Sequence, residues 1–266
     1  MTSRSSQGIY SWSTPFTPLT SPPLHDARPP SAPADGLGWG ADPAGPLQQF
    51  QPGPPVVAPD RILRIQGYVD PERVRPAIVR AAAEMARIAQ ARSEPSVAYR
   101  LHAIRTLHAD GVDLQQGARL RSAAFESRLA GCTHVVPFVL SCGQPLGQAV
   151  VDMAEAGDLM EAVLLEAAGW LCVEDATRQF KDALRRQAAA RGARITSRMG
   201  PGYAYRVGVG QVDWPLDDQP ELFRLLDGGP LPVSLLPSCA MFPKLSRSGL
   251  FGVAPARAAE PQAVAA

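Results

Sequence analysis

The chain has 266 residues, with 26 basic and 25 acidic side chains and a formal net charge of +1. This balance excludes a global electrostatic field for nucleic acid or membranes. No apolar run reaches the roughly 18 residues of a membrane-spanning helix. No signal-peptide pattern is found, and the four cysteines form no C-x-x-C pair. We therefore expect a cytoplasmic protein with reduced thiols, no metal, no nucleic acid and no membrane partner.

Composition divides the chain into three parts. Residues 1–60 hold nearly half of the 27 prolines together with many Gly and Ser residues. Such a segment has too few periodic apolar positions to offset the entropy lost on ordering. It is predicted to be a disordered tail, as is the shorter Ala- and Pro-rich segment 254–266. Residues 61–253 are predicted to form one domain.

The first half of this domain mixes helical and strand patterns. Apolar residues recur at helical spacing from 70 to 92, with Pro76 marking either a kink or the true start of the helix. Residues 96–108 alternate as in a strand with one wet face. A helix is predicted over 118–130, and residues 133–140 read as a buried strand.

The second half contains the longest predicted helix. A short helix is expected over 144–155, followed by a long one over 158–190 that keeps one apolar face. Residues 194–215 hold no helical pattern, whereas 217–226 form a short amphipathic helix. Two strands that pair with each other are expected at the end of the domain, over 231–236 and 245–253.

These elements follow no repeating strand-helix-strand unit. An α+β fold is therefore favoured over a doubly wound α/β fold. We expect a twisted antiparallel or mixed sheet with several packed helices, one of them long. The end of the long helix and the residues after it are basic, which suits either an acidic partner or a solvated face that complements the helix dipole. These basic residues are Arg178, Lys181, Arg185, Arg186, Arg191 and Arg194.

The most informative stretch is 198–203, which reads Arg-Met-Gly-Pro-Gly-Tyr. It combines a cation, a tight turn and an aromatic hydroxyl. Arginine grips a carboxylate in a bidentate fork. Glycine lets a ligand approach the backbone closely, and proline fixes the neighbouring geometry. From composition alone, an ordinary surface turn remains the alternative.

This stretch belongs to a set of motifs that resembles a known family. Arg-x-x-Pro-Gly-Tyr matches the activation domain of vitamin B12-dependent methionine synthase. Residues 238–243 and 246–249 resemble that family's Ser-Phe-Ala-Met-Trp-Pro and Ser-Val-Ser-Gly at the same spacing. Asp-Trp-Pro-Leu at 213–216, with Gln219, is similar to stand-alone relatives of the domain. The resemblance covers roughly 61–253.

The resemblance implies an accessory role in corrinoid chemistry. The domain would bind S-adenosylmethionine beside cobalamin held by a partner, a corrinoid protein or the methionine synthase core. One electron from a flavoprotein and a methyl group from S-adenosylmethionine would then reactivate the oxidised cobalamin. The chain would act in trans, because no cobalamin-binding Asp-x-His-x-x-Gly motif occurs in it. The implied function is linked to methionine synthesis, and whether the chain counts as an enzyme is left open.

The resemblance also implies the residues of the binding site. Arg198 would hold the methionine carboxylate, the Gly200 backbone would hydrogen-bond the ligand, and Tyr203 would lie against it. Glu174 matches an acid of the family's long helix, a position that equally suits a solvated acid. The implied site comprises Arg198, Gly200, Pro201, Gly202, Tyr203 and Glu174, with no catalytic side chain and no metal.

Two departures from the family pattern bear on this site. Leu236 and Pro237 replace a Thr-Glu pair ahead of Ser238. An insertion over 204–212 would either cover a ligand or block one. These changes support an alternative function, a non-catalytic corrinoid-protein adaptor or small-molecule-binding module of the same fold. An unrelated methyltransferase would need a Gly-rich strand-loop-helix turn, which we do not find.

Overall fold

A computed structural model describes residues 44–256 except 69, 71 and 72. The expected disorder of 1–43 and 257–266, and the Pro71–Glu72 part of the expected helix start, lie outside the described residues. The helices are α1 (Pro59–Ile65), α2 (Pro76–Arg92), α3 (Ala124–Arg128), α4 (Gln144–Glu155), α5 (Leu159–Ala189) and α6 (Gln219–Arg224).

The strands form one large sheet and two small hairpins. Those of the large sheet are β1 (Gln48–Phe50), β2 (Ser96–Tyr99), β3 (His102–His108), β4 (Gly111–Leu114), β5 (Arg119–Arg121), β6 (His134–Ser141), β7 (Ala193–Ile195) and β12 (Ser246–Pro255). The two hairpins are β8 (Tyr203–Val207) with β9 (Gly210–Trp214), and β10 (Ser234–Leu235) with β11 (Met241–Phe242).

Strand β6 is the centre of the large sheet, and all its pairings are antiparallel. Along one edge it pairs with β12 over its whole length, from Ser141 opposite Ser246 to His134 opposite Val253. Along the other edge it pairs with β2 at one end and β3 at the other. Strand β1 extends the sheet beyond β2, β4 and β5 extend it beyond β3, and β7 pairs with β12. The expected α+β fold with a long helix is confirmed.

Alternate residues of β6 enter two different cores. Val136, Phe138 and Leu140 join a core formed with α1, α2, α4 and α5. Val135 and Val139 face the other side, where α3, α6 and Trp214 of β9 pack. Because side chains alternate across a strand, a nearly continuous apolar run marks a strand buried on both faces. This confirms the buried strand expected over 133–140.

The single strand predicted over 96–108 is divided into β2 and β3, and Pro137 of β6 explains the break. Arg100 donates its backbone N–H to the Pro137 carbonyl oxygen at 3.2 Å. Proline has no N–H to return, so the ladder is interrupted at this pair. Pairing resumes two residues later, where His102 lies opposite Val135.

Three other expectations need correction or refinement. The helix predicted over 118–130 is wrong at its start, because Arg119–Arg121 pairs with β4 and only Ala124–Arg128 is helical. The two terminal strands do not pair with each other: β10 pairs with β11, and β12 joins the large sheet. Helix α2 begins at Pro76, which occupies its first turn, so that proline marks the start and not a kink.

Residues ahead of the boundary expected at position 60 already take part in the fold. Gln48–Phe50 pairs with β2, and the Phe50 ring lies 5.6 Å from that of Phe180. Val57 is buried in the helical core. These interactions with later elements hold the end of the Pro-rich segment, which local composition alone could not reveal. At the other end of the domain, β12 runs on to Pro255, just beyond the boundary expected at 253.

Two N-terminal truncations should show where the folded domain begins. A chain that starts at residue 44 should unfold at the full-length temperature, whereas one that starts at Asp60 should melt at least several degrees lower. The second truncation removes β1 and the buried Val57 side chain, which is worth about 1.5–3 kcal/mol by itself. Thermal unfolding followed by circular dichroism measures both. Equal melting temperatures would show that β1 contributes nothing.

His102 is a buried titratable side chain that should make stability depend on pH. Its Nε2 lies 2.8 Å from the Leu225 carbonyl oxygen, and its Nδ1 lies 3.0 Å from Oε1 of Gln116. Burial lowers the pKa of His102 below its ordinary value. The unfolded chain therefore binds a proton first as the pH falls below about 6.5, and the folded state loses stability.

Replacing His102 should remove part of this dependence. Between pH 7 and 5, wild type should lose more free energy of unfolding than His102→Gln, measured by denaturant titration at each pH. His108→Gln serves as control, because His108 is half-buried and pairs with Asp113 at 2.9 Å. The same pH slope in wild type and His102→Gln would contradict the expectation.

Candidate functional site

The 198–203 turn is fastened to the large sheet. Met199 and Leu250 of β12 exchange two backbone hydrogen bonds, at 2.9 and 2.7 Å. Pro201 is followed by Gly202 at a φ of +79°, the left-handed conformation that suits glycine at this point of a type II turn. The Gly202 N–H donates to the Trp214 carbonyl oxygen at 2.7 Å. The turn is therefore held from both sides, by β12 and by β9.

Arg198 folds over the turn and meets Tyr203. Its guanidinium carbon lies 4.7 Å from the centre of the Tyr203 ring, and Nη1 donates to the Ser248 carbonyl oxygen at 3.4 Å. A Cβ atom at Gly200 would lie 2.8 Å from that Nη1. The same Cβ would lie 3.1 Å from the Ser248 carbonyl oxygen, so glycine at 200 suits the close approach of the turn to β12. The structure brings these three predicted site residues together.

The backbone of Gly200 already has a partner. Its N–H donates to the Tyr205 hydroxyl oxygen at 2.6 Å, and the same hydroxyl donates to the Gly200 carbonyl at 3.0 Å. Burial raises the pKa of Tyr205, so the phenol stays protonated at neutral pH. A ligand that uses the Gly200 N–H, as the resemblance implies, must first displace this hydroxyl.

Tyr205 belongs to the segment that departs from the family pattern. Residues 204–212 form most of the β8–β9 hairpin, whose tip at Gly208 and Val209 is exposed. Within this segment the strands are regular, and the Tyr205 hydroxyl hydrogen-bonds the backbone of Gly200 in the turn. The sequence showed the insertion but not that its Tyr205 side chain would hydrogen-bond the backbone of Gly200.

The predicted site residues line two cavities. A smaller one, of about 210 Å³, is lined by Pro201 and Tyr203 together with Trp170 and Leu216. A larger one, of about 370 Å³, is lined by Arg198 and Glu174 and by charged side chains of α5. Arg247 lines both. The six predicted residues therefore do not share a single pocket.

Arg247 is a site residue that sequence reasoning missed. It stands where the family pattern has Val, and its side chain is mostly buried. Its Nη1 lies 2.7 Å from Oε2 of Glu174 and donates to the Thr177 hydroxyl at 3.2 Å. Glu174, whose side chain is 55% exposed, therefore forms an ion pair with a mostly buried arginine of this chain. The Arg-for-Val departure between two matched serines was the signal that could have found it.

Trp170 was missed as well. It lies on α5, where most of its neighbours are buried, yet 37% of its surface is exposed and it lines the smaller cavity beside Tyr203. Together with Tyr203 and Leu216 it gives this cavity a wall of apolar surface. The helical pattern of the sequence indicated the apolar face of this helix and did not single out this position.

The Leu236–Pro237 replacement lies at the edge of the site. Both residues are exposed and neither is among the described residues that line the smaller cavity, although Cys239 and Ala240 are.

Gln219 is buried and connects two segments that line the smaller cavity, one at Cys239 and one at Ser248. Its Nε2 donates to the Cys239 carbonyl oxygen at 3.2 Å, and its Oε1 accepts from the Ser248 hydroxyl at 3.4 Å.

The Asp-Trp-Pro-Leu motif supports the site and does not line it with its polar groups. The Trp214 indole is fully buried and packs edge-on against Phe125 at 4.9 Å. Its Nε1 donates to Oδ2 of Asp218 at 2.9 Å, and the same oxygen accepts the Arg121 N–H at 2.6 Å. This network fixes β9, to which Gly202 is bonded, against the large sheet.

Neither metal ligation nor thiol chemistry is indicated in the described part of the chain. No group of three His, Cys, Asp or Glu side chains there is placed to hold a metal ion. All four cysteines are free thiols. Burial raises the pKa of Cys142 to about 11 and that of Cys172 to about 12, so neither is a thiolate at neutral pH. Among the described helices, none is long and apolar enough to cross a membrane.

Comparison with known proteins gives a similarity in fold. No family model and no curated protein matches this chain. The fold is similar to the crystal structure of the MetH reactivation domain bound to AdoHcy, with a TM-score of 0.58 and 13% sequence identity. The match covers 79% of this chain and 78% of the other. The chain thus has a fold similar to that of this reactivation domain.

Proposed function

We propose that this protein binds S-adenosylmethionine at the Arg198–Tyr203 turn and assists the reductive reactivation of a corrinoid methyltransferase. The observation that carries the proposal is the Arg198 guanidinium, which lines the larger cavity and is held 4.7 Å above the ring of Tyr203, a residue that lines the smaller one. Two sequence motifs and a fold similar to a reactivation domain with bound AdoHcy support the same ligand class.

The geometry suits an amino acid joined to a flat heterocycle. Arg198 offers N–H donors to a carboxylate. Tyr203, Trp170 and Leu216 line a cavity of about 210 Å³ with exposed apolar surface on which an adenine ring can lie. The ligand supplies the methyl group, and this chain's residues bind and orient it. Pro201 and Gly202 keep the arginine and the tyrosine at a fixed spacing.

In this proposal the cobalamin belongs to a partner, a corrinoid protein or a methionine synthase core, and a flavoprotein supplies the electron. The decisive assay mixes the chain with a corrinoid methyltransferase in its oxidised cob(II) state, a reduced flavoprotein and S-adenosylmethionine labelled at the methyl group. Label should reach the corrinoid only when this chain is present. Transfer at the same rate without the chain would contradict the proposal.

A second candidate, a non-catalytic corrinoid-protein adaptor of the same fold, is favoured by two specific contacts. Arg247 pairs with Glu174, and the Tyr205 hydroxyl occupies the Gly200 N–H. Each contact engages a group that the resemblance assigns to ligand binding, the Glu174 carboxylate in one case and the Gly200 N–H in the other. An adaptor would bind the corrinoid protein with unchanged affinity whether or not S-adenosylmethionine is present.

Tyr205→Phe tests whether S-adenosylmethionine uses the Gly200 N–H, one of the two contacts that favour the adaptor. Loss of the hydroxyl frees the Gly200 N–H, so S-adenosylmethionine should bind roughly 2- to 10-fold more tightly, the worth of one hydrogen bond. Calorimetric titration of both proteins measures the change. Tyr68→Phe, at an exposed position, should leave affinity unaltered. No gain in Tyr205→Phe would show that the ligand does not use this N–H.

A further inference from the structure

The larger cavity, of about 370 Å³, carries an excess of positive charge. Six cationic and three acidic side chains line it. The acids are Glu174, Asp175 and Asp182, and the cations are Arg61, Arg178, Lys181, Arg185, Arg198 and Arg247. The volume falls within the ordinary range for small-ligand sites. A hollow with this surplus of charge favours an anion.

Each of the three acids already has a cationic partner. Glu174 pairs with Arg247 at 2.7 Å, and Asp182 pairs with Arg185 at 3.4 Å. Asp175 is buried, pairs with Arg178 and accepts the Val56 N–H at 3.2 Å. The carboxylates therefore neutralise three of the cations and leave the charge of the others uncompensated.

The three remaining cations come from three different parts of the fold. Arg61 lies on α1, Lys181 on α5 and Arg198 on the turn after β7, and all three line the cavity. Among the described residues none of them forms an ion pair with an acid. Cations that surround a concave space from separate elements converge on one small ligand, whereas a flat acidic protein surface would reach only the rim.

We propose that this cavity binds a small, multiply charged phosphate anion of the pyrophosphate or polyphosphate class. Arginine forks match phosphate oxygens in pairs, and lysine adds a compact point charge. A diphosphate carries several charged oxygens, which suits a cavity lined by Arg61, Lys181 and Arg198. The inference goes beyond the proposed function, since Arg61 and Lys181 have no part in binding S-adenosylmethionine. Arg198 serves both sites, so the two ligands compete.

Calorimetric titration of the full chain with inorganic pyrophosphate tests the proposal. Wild type should bind one pyrophosphate per chain, and its affinity for pyrophosphate should fall as the sodium chloride concentration rises. Lys181→Ala and Arg61→Ala should each weaken binding by roughly 10-fold, the cost of a charge-assisted contact. The matched control is Arg186→Ala, which removes the same charge from an exposed position on α5 outside the cavity lining. Absence of binding at millimolar pyrophosphate and low salt would overturn the proposal, as would equal losses in Lys181→Ala and Arg186→Ala.

A second titration separates this proposal from the proposed function. Lys181→Ala should bind S-adenosylmethionine as wild type does, while pyrophosphate should weaken S-adenosylmethionine binding to wild type. If S-adenosylmethionine fails to bind but pyrophosphate binds through Lys181, the proposed function is wrong and the anion site stands. If only S-adenosylmethionine binds, the anion site is wrong and the proposed function stands.

Discussion

Arg198→Ala should bind S-adenosylmethionine roughly 10- to 150-fold more weakly than wild type, because a charge-assisted contact to a carboxylate is worth on the order of 1.5–3 kcal/mol. The arginine is half-buried, stacked on Tyr203 and oriented by the Ser248 carbonyl oxygen, so little freedom is lost when the ligand binds. Calorimetric titration of both proteins gives the ratio. Tyr203→Phe should weaken S-adenosylmethionine binding less than Arg198→Ala does, because the aromatic ring face remains.

The control for this experiment is Arg194→Ala, which removes the same charge from an exposed residue of β7. The affinity of Arg194→Ala for S-adenosylmethionine should equal that of wild type. The melting temperature of Arg198→Ala should also stay close to the wild-type value, since Arg198 contributes one long hydrogen bond of 3.4 Å to the fold. Unchanged affinity in Arg198→Ala, or a loss of equal size in Arg194→Ala, would contradict the proposed role.

Phe180→Ala should produce the largest loss of stability, about 3–5 kcal/mol, because it removes the centre of an aromatic cluster. The Phe180 ring lies 5.0 Å from Tyr99, 5.3 Å from Phe138 and 6.1 Å from Phe251. These neighbours belong to β2, β6 and β12, so the ring fastens α5 to the middle of the large sheet. The melting temperature should fall by roughly 6–20 °C for a domain of this size.

Two further variants check that burial, and not aromatic character in general, causes this loss. Phe180→Leu keeps much of the volume and should lose less than half as much free energy of unfolding. Phe242→Ala removes an exposed ring and should change stability by less than about 1 kcal/mol. Denaturant unfolding of the three proteins gives the comparison. A similar loss in Phe242→Ala would remove the basis for the prediction.

Local pattern was sufficient for the elements that form within one stretch of chain. The 3.6-residue period predicted the long helix over 158–190, which the structure places at Leu159–Ala189. The unbroken apolar run over 133–140 predicted β6. The Pro-Gly turn at 201–202 likewise follows from residue chemistry, since proline presets one φ and glycine accepts the positive one. Each of these depends on near neighbours alone.

Tertiary structure decided whatever depends on a partner distant in sequence. Arg119–Arg121 is a strand because β4 pairs with it, against its helical pattern, and β1 is ordered by β2 although its segment is rich in proline. In the site, sequence named Arg198, Gly200, Tyr203 and Glu174, but not that Arg247 pairs with Glu174 or that Tyr205 occupies Gly200. The first contact forms between β12 and α5, and the second between the turn and the strand that follows it. No local pattern encodes distances that are set only when the folded chain packs.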